Sequence, residues 1–311
     1  MDSAAQLTRA PSGTQWTLTK GDQEAVIVEV GGGLRSYRSG SDEIVDGFGE
    51  LELCPGSAGQ VLAPWPNRIR DGRFGFGGGT HQLPLTEPDR NNAIHGLVCW
   101  ERWRVESLAE DQVALEHDLV PQPGYPWPLH LRTVWSIGAD GLRADHEVVN
   151  TGTEPCPFGL ATHPYVQVPG VAVDDLSLQV PATSRLLFDG RNLPIGAAKV
   201  AGGEYDFTEP RKLGSLQLDT AFGDVDPGVD GGSTAAIFGP DGTGVQIWAD
   251  SAFGWWQVYT GDTLPPSRHR RSVAIEPMTC PPDAFRSGRD VIVLEPGEAW
   301  RGSWGIRHLP A

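Results

Sequence analysis

An all-β fold, one large antiparallel β-sandwich formed as a single domain over residues 1–311, is predicted from three features of the sequence. Apolar and polar residues alternate with period two in segment after segment, and no sustained helical period appears. Glycine and proline, 40 and 26 residues, punctuate the chain at short intervals. Tryptophan is nonetheless plentiful at 11 residues, which a low-complexity disordered chain does not carry.

Taken in order, EAVIVEV (24–30) alternates and runs into three glycines. LHLRTVWSI (129–137) sets Leu129, Leu131, Thr133, Trp135 and Ile137 on one face. The turn GADG then leads into LRADHEVVN (142–150), which reads as the returning strand of a hairpin. AAIFGPDGTGVQIWAD (235–250) repeats the scheme around a Pro-Asp-Gly turn. LSLQVPA (176–182), WWQVYTG (255–261), SVAIEP (272–277) and VIVLEPGEAWRGSWGI (291–306) supply further strands. GGEYDFTEPRKLG (202–214) reads as a polar connection with a helical turn, and GDVDPGVDGGST (223–234) as a surface loop. Such short, turn-bounded strands favour a sandwich over alternating β and α units.

Charge and motif content remove several functions. With 24 basic and 40 acidic residues, the net charge of −16 opposes nucleic acid and anionic lipid as partners. The stretch MDSAAQLTRAPSG lacks the apolar centre of a signal peptide, and no later run approaches the ~20 apolar residues of a membrane span. A cytoplasmic protein is expected. Cys54, Cys99, Cys156 and Cys280 are too scattered for a zinc knuckle or a redox pair and read as buried apolar residues. GFGGG (75–79) is misspaced for a dinucleotide cradle, and no Walker, nucleophile-elbow or zinc-protease motif occurs. The eight histidines are not spaced as metal ligands. No cofactor and no metal are expected.

One stretch resists a purely structural account. AIEPMTCPPDAF (274–285) carries Glu276 inside an apolar run that proline then interrupts three times. A carboxylate there either points into water at a strand end or is held rigidly at a pocket wall. Other polar residues sit in similar settings: Asn67 and Arg68 after two prolines in PWPNRIRDGRF, His95 before a glycine in NNAIHG, and His163 before a proline in ATHPYV. Asp219 lies in LDTAF, and Gln257 and Tyr259 share a face of WWQVYTG. Singly, each has an ordinary explanation as a core histidine, a solvated arginine, a turn aspartate or a strand amide.

Together, in this order over residues 64 to 285, the segments PNRIRDGRF, NAIHG, THPYV, LDTAF, WQVYTG and AIEPMTCPPDAF resemble the aldose 1-epimerase (galactose mutarotase) family. The resemblance implies a large antiparallel β-sandwich that interconverts the α and β anomers of a free sugar without a cofactor. It implies Glu276 as general base, His163 as general acid, and His95 assisting near the ring and O1 oxygens. Asn67, Arg68, Asp219 and Gln257 would hold hydroxyls, and Tyr165 would line the pocket. Tryptophan planes suit the C–H faces of a sugar, although core packing is expected for most of the 11. The expected partner is a monosaccharide, bound by a monomer or homodimer. Met278, where many members have glutamine, and the PWP before Asn67 are similar to a bacterial subgroup of uncharacterised or sulfosugar-associated members. Alternative readings are a hexose-6-phosphate or sulfosugar 1-epimerase, a non-catalytic sugar-binding sandwich, and a glycoside hydrolase or lyase using Asp219 with Glu276. Arg70 and Arg73 are read as outward-facing strand residues.

Overall fold

Period-two alternation becomes strand throughout the structure, a computed structural model that describes residues 10–310. Two large sheets dominate, and every pairing between named strands is antiparallel. The nine-stranded sheet centres on the predicted hairpin, Leu129–Gly138 with Gly141–Asn150, in register from Leu129↔Asn150 to Gly138↔Gly141. Ala299–Leu309 follows, then the second predicted hairpin, Gly244–Ala249 with Ser233–Phe238. A four-stranded sheet begins with Gln15–Lys20 and Gln23–Val28.

The eight-stranded sheet carries the site. Its order runs Pro194–Lys199, Ala182–Phe188, Asp219–Val225, Trp255–Tyr259, Val273–Met278, Ala161–Thr162, Val61–Leu62, with Tyr165–Val166 also pairing to Val273–Met278. Because side chains alternate across a strand, Val273, Ile275, Trp256, Val258 and Phe222 face one way. They join Leu131, Trp135, Ile247 and Trp304 of the nine-stranded sheet in the main core. Glu276, Gln257 and Asp219 face the other way. On that face the polar strip separates two smaller apolar clusters, one around Trp255, Met278, Leu62 and Ala161, the other around Tyr165, Ala274 and Phe48. Met278 is therefore a core residue, fully buried two positions beyond Glu276.

Two local expectations change. The 202–214 connection forms turns and the short strand Arg211–Lys212 but no helical turn. The supposed 223–234 loop is shorter, since Asp219–Val225 and Ser233–Phe238 take both of its ends. The cysteines are free, with Cys99, Cys156 and Cys280 buried and Cys54 half-buried. Among the described residues no helix is long and apolar enough to cross a membrane.

Candidate active site

The run VAIEPM is buried along its whole length, so Glu276 is a carboxylate brought into the protein and not a strand end in water. The prolines after it act at a distance. The strand ends at Met278, and the following turn delivers Asp283, whose backbone N–H donates to the Arg68 carbonyl at 2.7 Å. The Asp283 carboxylate accepts the Arg70 N–H at 2.9 Å. Glu276 and the Arg68–Arg70 strand are thereby fixed to one another.

His163 comes from the short link between Ala161–Thr162 and Tyr165–Val166, both paired to the Glu276 strand. Its Nε2 lies 3.4 Å from Glu276 Oε1. The Tyr165 ring stacks on His163 at 4.9 Å, and the His95 ring meets it edge-on at 5.5 Å. His95 and Asn67 both adopt left-handed backbone, φ 64° and 51°, strain of order 1 kcal/mol or more that non-glycine residues seldom bear. They are coupled, for the His95 N–H donates to the Asn67 carbonyl at 3.0 Å. Gly96 is required beside them, because a Cβ there would sit 2.0 Å from the Ala63 carbonyl oxygen.

Seven of the predicted residues, Asn67, Arg68, His95, His163, Tyr165, Asp219 and Glu276, line one pocket of about 240 Å³. Gln257 does not line it. It is buried beside Glu276, its register partner, and its Nε2 donates to Asp219 Oδ1 at 2.6 Å. The amide thus holds a carboxylate in place and does not itself face the cavity. Tryptophan is absent from the lining, where the phenol rings are Tyr165 and Tyr259; Trp65, Trp103, Trp135, Trp256 and Trp304 pack the interior instead. Sequence reasoning missed Gly56, Ser57, Thr263 and Leu264 in the lining, which lie in loops with no distinctive pattern.

Arg68 is buried, not solvated. Its guanidinium grips Glu87 at 2.9 Å and approaches Asp219 Oδ2 at 3.7 Å. Arg73 is exposed as expected, but Arg70 is half-buried and reaches Asp189 at 3.3 Å and Asp283 at 4.0 Å. It braces two loops and does not face outward.

Burial governs the ionisation of the central pair. Desolvation, assisted by the charge of Asp219, pushes the Glu276 carboxyl well above its usual range. Desolvation likewise pulls His163 down to about 4, and His95 is lowered by burial and by the neighbouring His163. Three buried side-chain atoms of the lining lack a partner among the described residues: Glu276 Oε2, His163 Nδ1 and His95 Nδ1. Unsatisfied polar atoms concentrated at one place are what a hydroxyl-rich ligand would complete. No group of three metal-ligating side chains occurs among the described residues.

A β-sandwich holding a buried carboxyl–imidazole pair in a small polar pocket is the arrangement the sequence motifs imply. The chain belongs to the aldose 1-epimerase family, whose model matches residues 14–307. It is 33% identical to an uncharacterised Escherichia coli K12 protein, YihR, over 93% of this chain and 92% of that one. A galactose mutarotase of Mus musculus is 26% identical over 60% of this chain and 56% of its own. In structure, the GalM/aldose epimerase homologue of C. elegans superposes with TM-score 0.83 at 16% identity, covering 96% of this chain and 100% of that one. The galactose 1-epimerase of Lactobacillus acidophilus NCFM gives 0.78 at 20% identity, over 94% of both chains.

Proposed function

We propose that this chain interconverts the anomers of a free, uncharged aldose, with Glu276 and His163 exchanging the protons. The observation that carries the reading is the 3.4 Å approach of His163 Nε2 to Glu276 Oε1, both side chains buried at the pocket. Mutarotation needs one proton removed from O1 and one delivered to the ring oxygen O5. With Glu276 ionised and His163 protonated, the carboxylate takes the O1 proton while the imidazolium gives its own to O5. The C1–O5 bond breaks, C1=O1 forms, and the open-chain aldehyde rotates about C1–C2. Closure on the other face of the carbonyl reverses both transfers.

Both ends of this half-reaction place one proton on the pair and leave it without net charge. A low-dielectric pocket therefore creates no new net charge as the ring opens. Burial favours the end with neutral Glu276 and neutral His163, which is the state opposite the open-chain sugar. Hydroxyl donors on the bound ring, reaching Glu276 Oε2, would favour the carboxylate at the start. Positioned acid–base pairs of this kind contribute typically ~10²–10⁴-fold. Asn67, Arg68, His95 and Asp219 are assigned to ring and hydroxyl contacts, and Tyr165 to holding the His163 ring.

A neutral sugar fits better than a phosphorylated or sulfonated one. Arg68 is the one guanidinium among the described lining residues, and Glu87 already holds it beside Asp219 and Glu276. A phosphate dianion or a sulfonate monoanion placed there would meet two carboxyl groups and no free cation. The experiment is polarimetry or NMR on freshly dissolved α-D-glucose and α-D-galactose. Equilibration well above the buffer rate is expected. No acceleration for either sugar, with rapid turnover of a hexose 6-phosphate or a sulfonated hexose, would overturn the substrate assignment.

A further inference from the structure

We infer that the tip of the hairpin Ala182–Phe188/Pro194–Lys199 is part of the sugar site, with Asn192 the positioning residue that sets the Asp219 carboxylate. The inference rests on the mutarotase reading, since it assigns Asp219 to the substrate. Asp219 is the more exposed of the pocket's two carboxyl groups, its side chain 32% accessible against 2% for Glu276. Both of its oxygens are held by amides. Gln257 Nε2 donates to Oδ1 at 2.6 Å and Asn192 Nδ2 donates to Oδ2 at 2.6 Å.

The two donors come from unlike places. Gln257 projects from a central strand and is fixed by the sheet. Asn192 sits at φ 57° on a loop, a conformation asparagine tolerates better than most residues. That loop is unusually well tied. Asp189 Oδ1 accepts the N–H groups of Arg191 and Leu193, and its Oδ2 meets Arg70 at 3.3 Å. Arg191 donates through Nε to the Arg90 carbonyl at 2.8 Å, and its own carbonyl accepts from Asn92 at 3.2 Å. Asn92 also donates to Glu87, which grips Arg68, which faces Asp219. A ring of polar contacts thus closes around the pocket wall and passes through Asn192. A carboxylate gripped by two charge-assisted bonds keeps one orientation, so its remaining lone pairs point at fixed positions in the cavity. Hydroxyls of the sugar that match those positions are the ones retained.

The test uses the full chain with Asn192→Asp and Asn192→Ala, measuring KM and kcat for glucose and galactose from pH 5 to 8, sugar binding by calorimetry, and Tm. Loss of a hydrogen bond to a charged group predicts about a tenfold or larger rise in KM for Asn192→Ala, equal at all pH, with kcat changed far less. Asn192→Asp keeps the shape. Near pH 5 the two facing carboxyls share a proton and the link survives; near pH 8 both ionise and repel. Its KM relative to wild type therefore climbs with pH, while that of Asn192→Ala stays level. Wild-type KM in both variants, or a fall in Tm and kcat with no pH-dependent KM in Asn192→Asp, would overturn the inference. A wild-type chain that binds sugar without turning it over, binding lost in the same pH-dependent manner, would sink the mutarotase reading and leave the role of Asn192 standing. Failure of the wild type to bind either sugar would remove both.

Discussion

The carboxyl proposed as the base is badly placed for stability. Glu276 is 2% exposed, and its Oε2 has no partner among the described residues. Its raised pKa means that, between the carboxyl's ordinary value and its raised one, the unfolded chain releases a proton that the folded chain retains, which favours unfolding. Glu276→Gln keeps the volume and cannot take the proton. That substitution is expected to lower kcat by ~10²-fold or more and to raise Tm by a few degrees. A thermal melt beside a polarimetric assay checks both, and a variant with wild-type kcat would remove Glu276 from the base role. His163→Asn should cut kcat more than sugar affinity, because a proton donor acts chiefly in the transition state; an effect on affinity alone would make His163 a binder. At this scale the sequence was informative about which residues gather and less so about what each touches. Gln257 was legible as a face-mate of Tyr259, yet its amide is spent on Asp219, and alternation alone cannot reveal a neighbour on another strand. Asn192 carries no such signal, since RNLP in a hairpin tip reads like any turn.

Elements with many residues and a regular period were legible, and short ones were not. The hairpin of residues 129–150 follows from alternation plus a glycine turn, and its register came out as the pattern requires. The strands Arg68–Arg70 and Asn92–Ile94 have three residues each, too few for any period, and pair across an intervening hairpin. Their placement depends on backbone geometry at Asn67, His95 and Gly96. Gly96 is the sharpest case, with φ 74° and the Ala63 carbonyl pressed against its Cα. Gly96→Ala must move the Ala63–Pro64 segment or the His95 loop, and both carry pocket residues or their neighbours. The expected cost is of the order of 2 kcal/mol or more in unfolding free energy, with a loss of activity larger than that of Gly170→Ala, where a Cβ meets nothing within 4 Å. Denaturant unfolding of the two variants makes the comparison; equal stability would show that the loop has room to shift.

Across the whole molecule, buried histidines set the response to acid. His146 lies in the main core, hydrogen-bonded to Thr133 at 2.8 Å and accepting from Trp304 Nε1 at 3.0 Å. Burial lowers it to about 4 from 6.5, and His95 is also lowered. As pH falls from 6.5 towards 4, the unfolded chain binds protons that these folded imidazoles refuse, so stability is full above 6.5 and is lost progressively below it. The Glu276–His163 pair pulls both ways, the raised carboxyl letting the folded chain keep a proton and the lowered imidazole refusing one, and the raised Asp283 carboxyl acts with Glu276. The loss of stability on the acid side comes from the buried imidazoles, His146 and His95 among them. Each can contribute up to about 1.4 kcal/mol per pH unit, some 2 kcal/mol for His146 between pH 6.5 and 4.5. His146→Gln should be less stable than wild type at pH 7, since glutamine fits the Thr133–Trp304 gap poorly, and the difference should shrink by about that amount at pH 4.5. Urea unfolding at the two pH values measures it, and a difference independent of pH would show that folding leaves the His146 pKa where it lies in the unfolded chain.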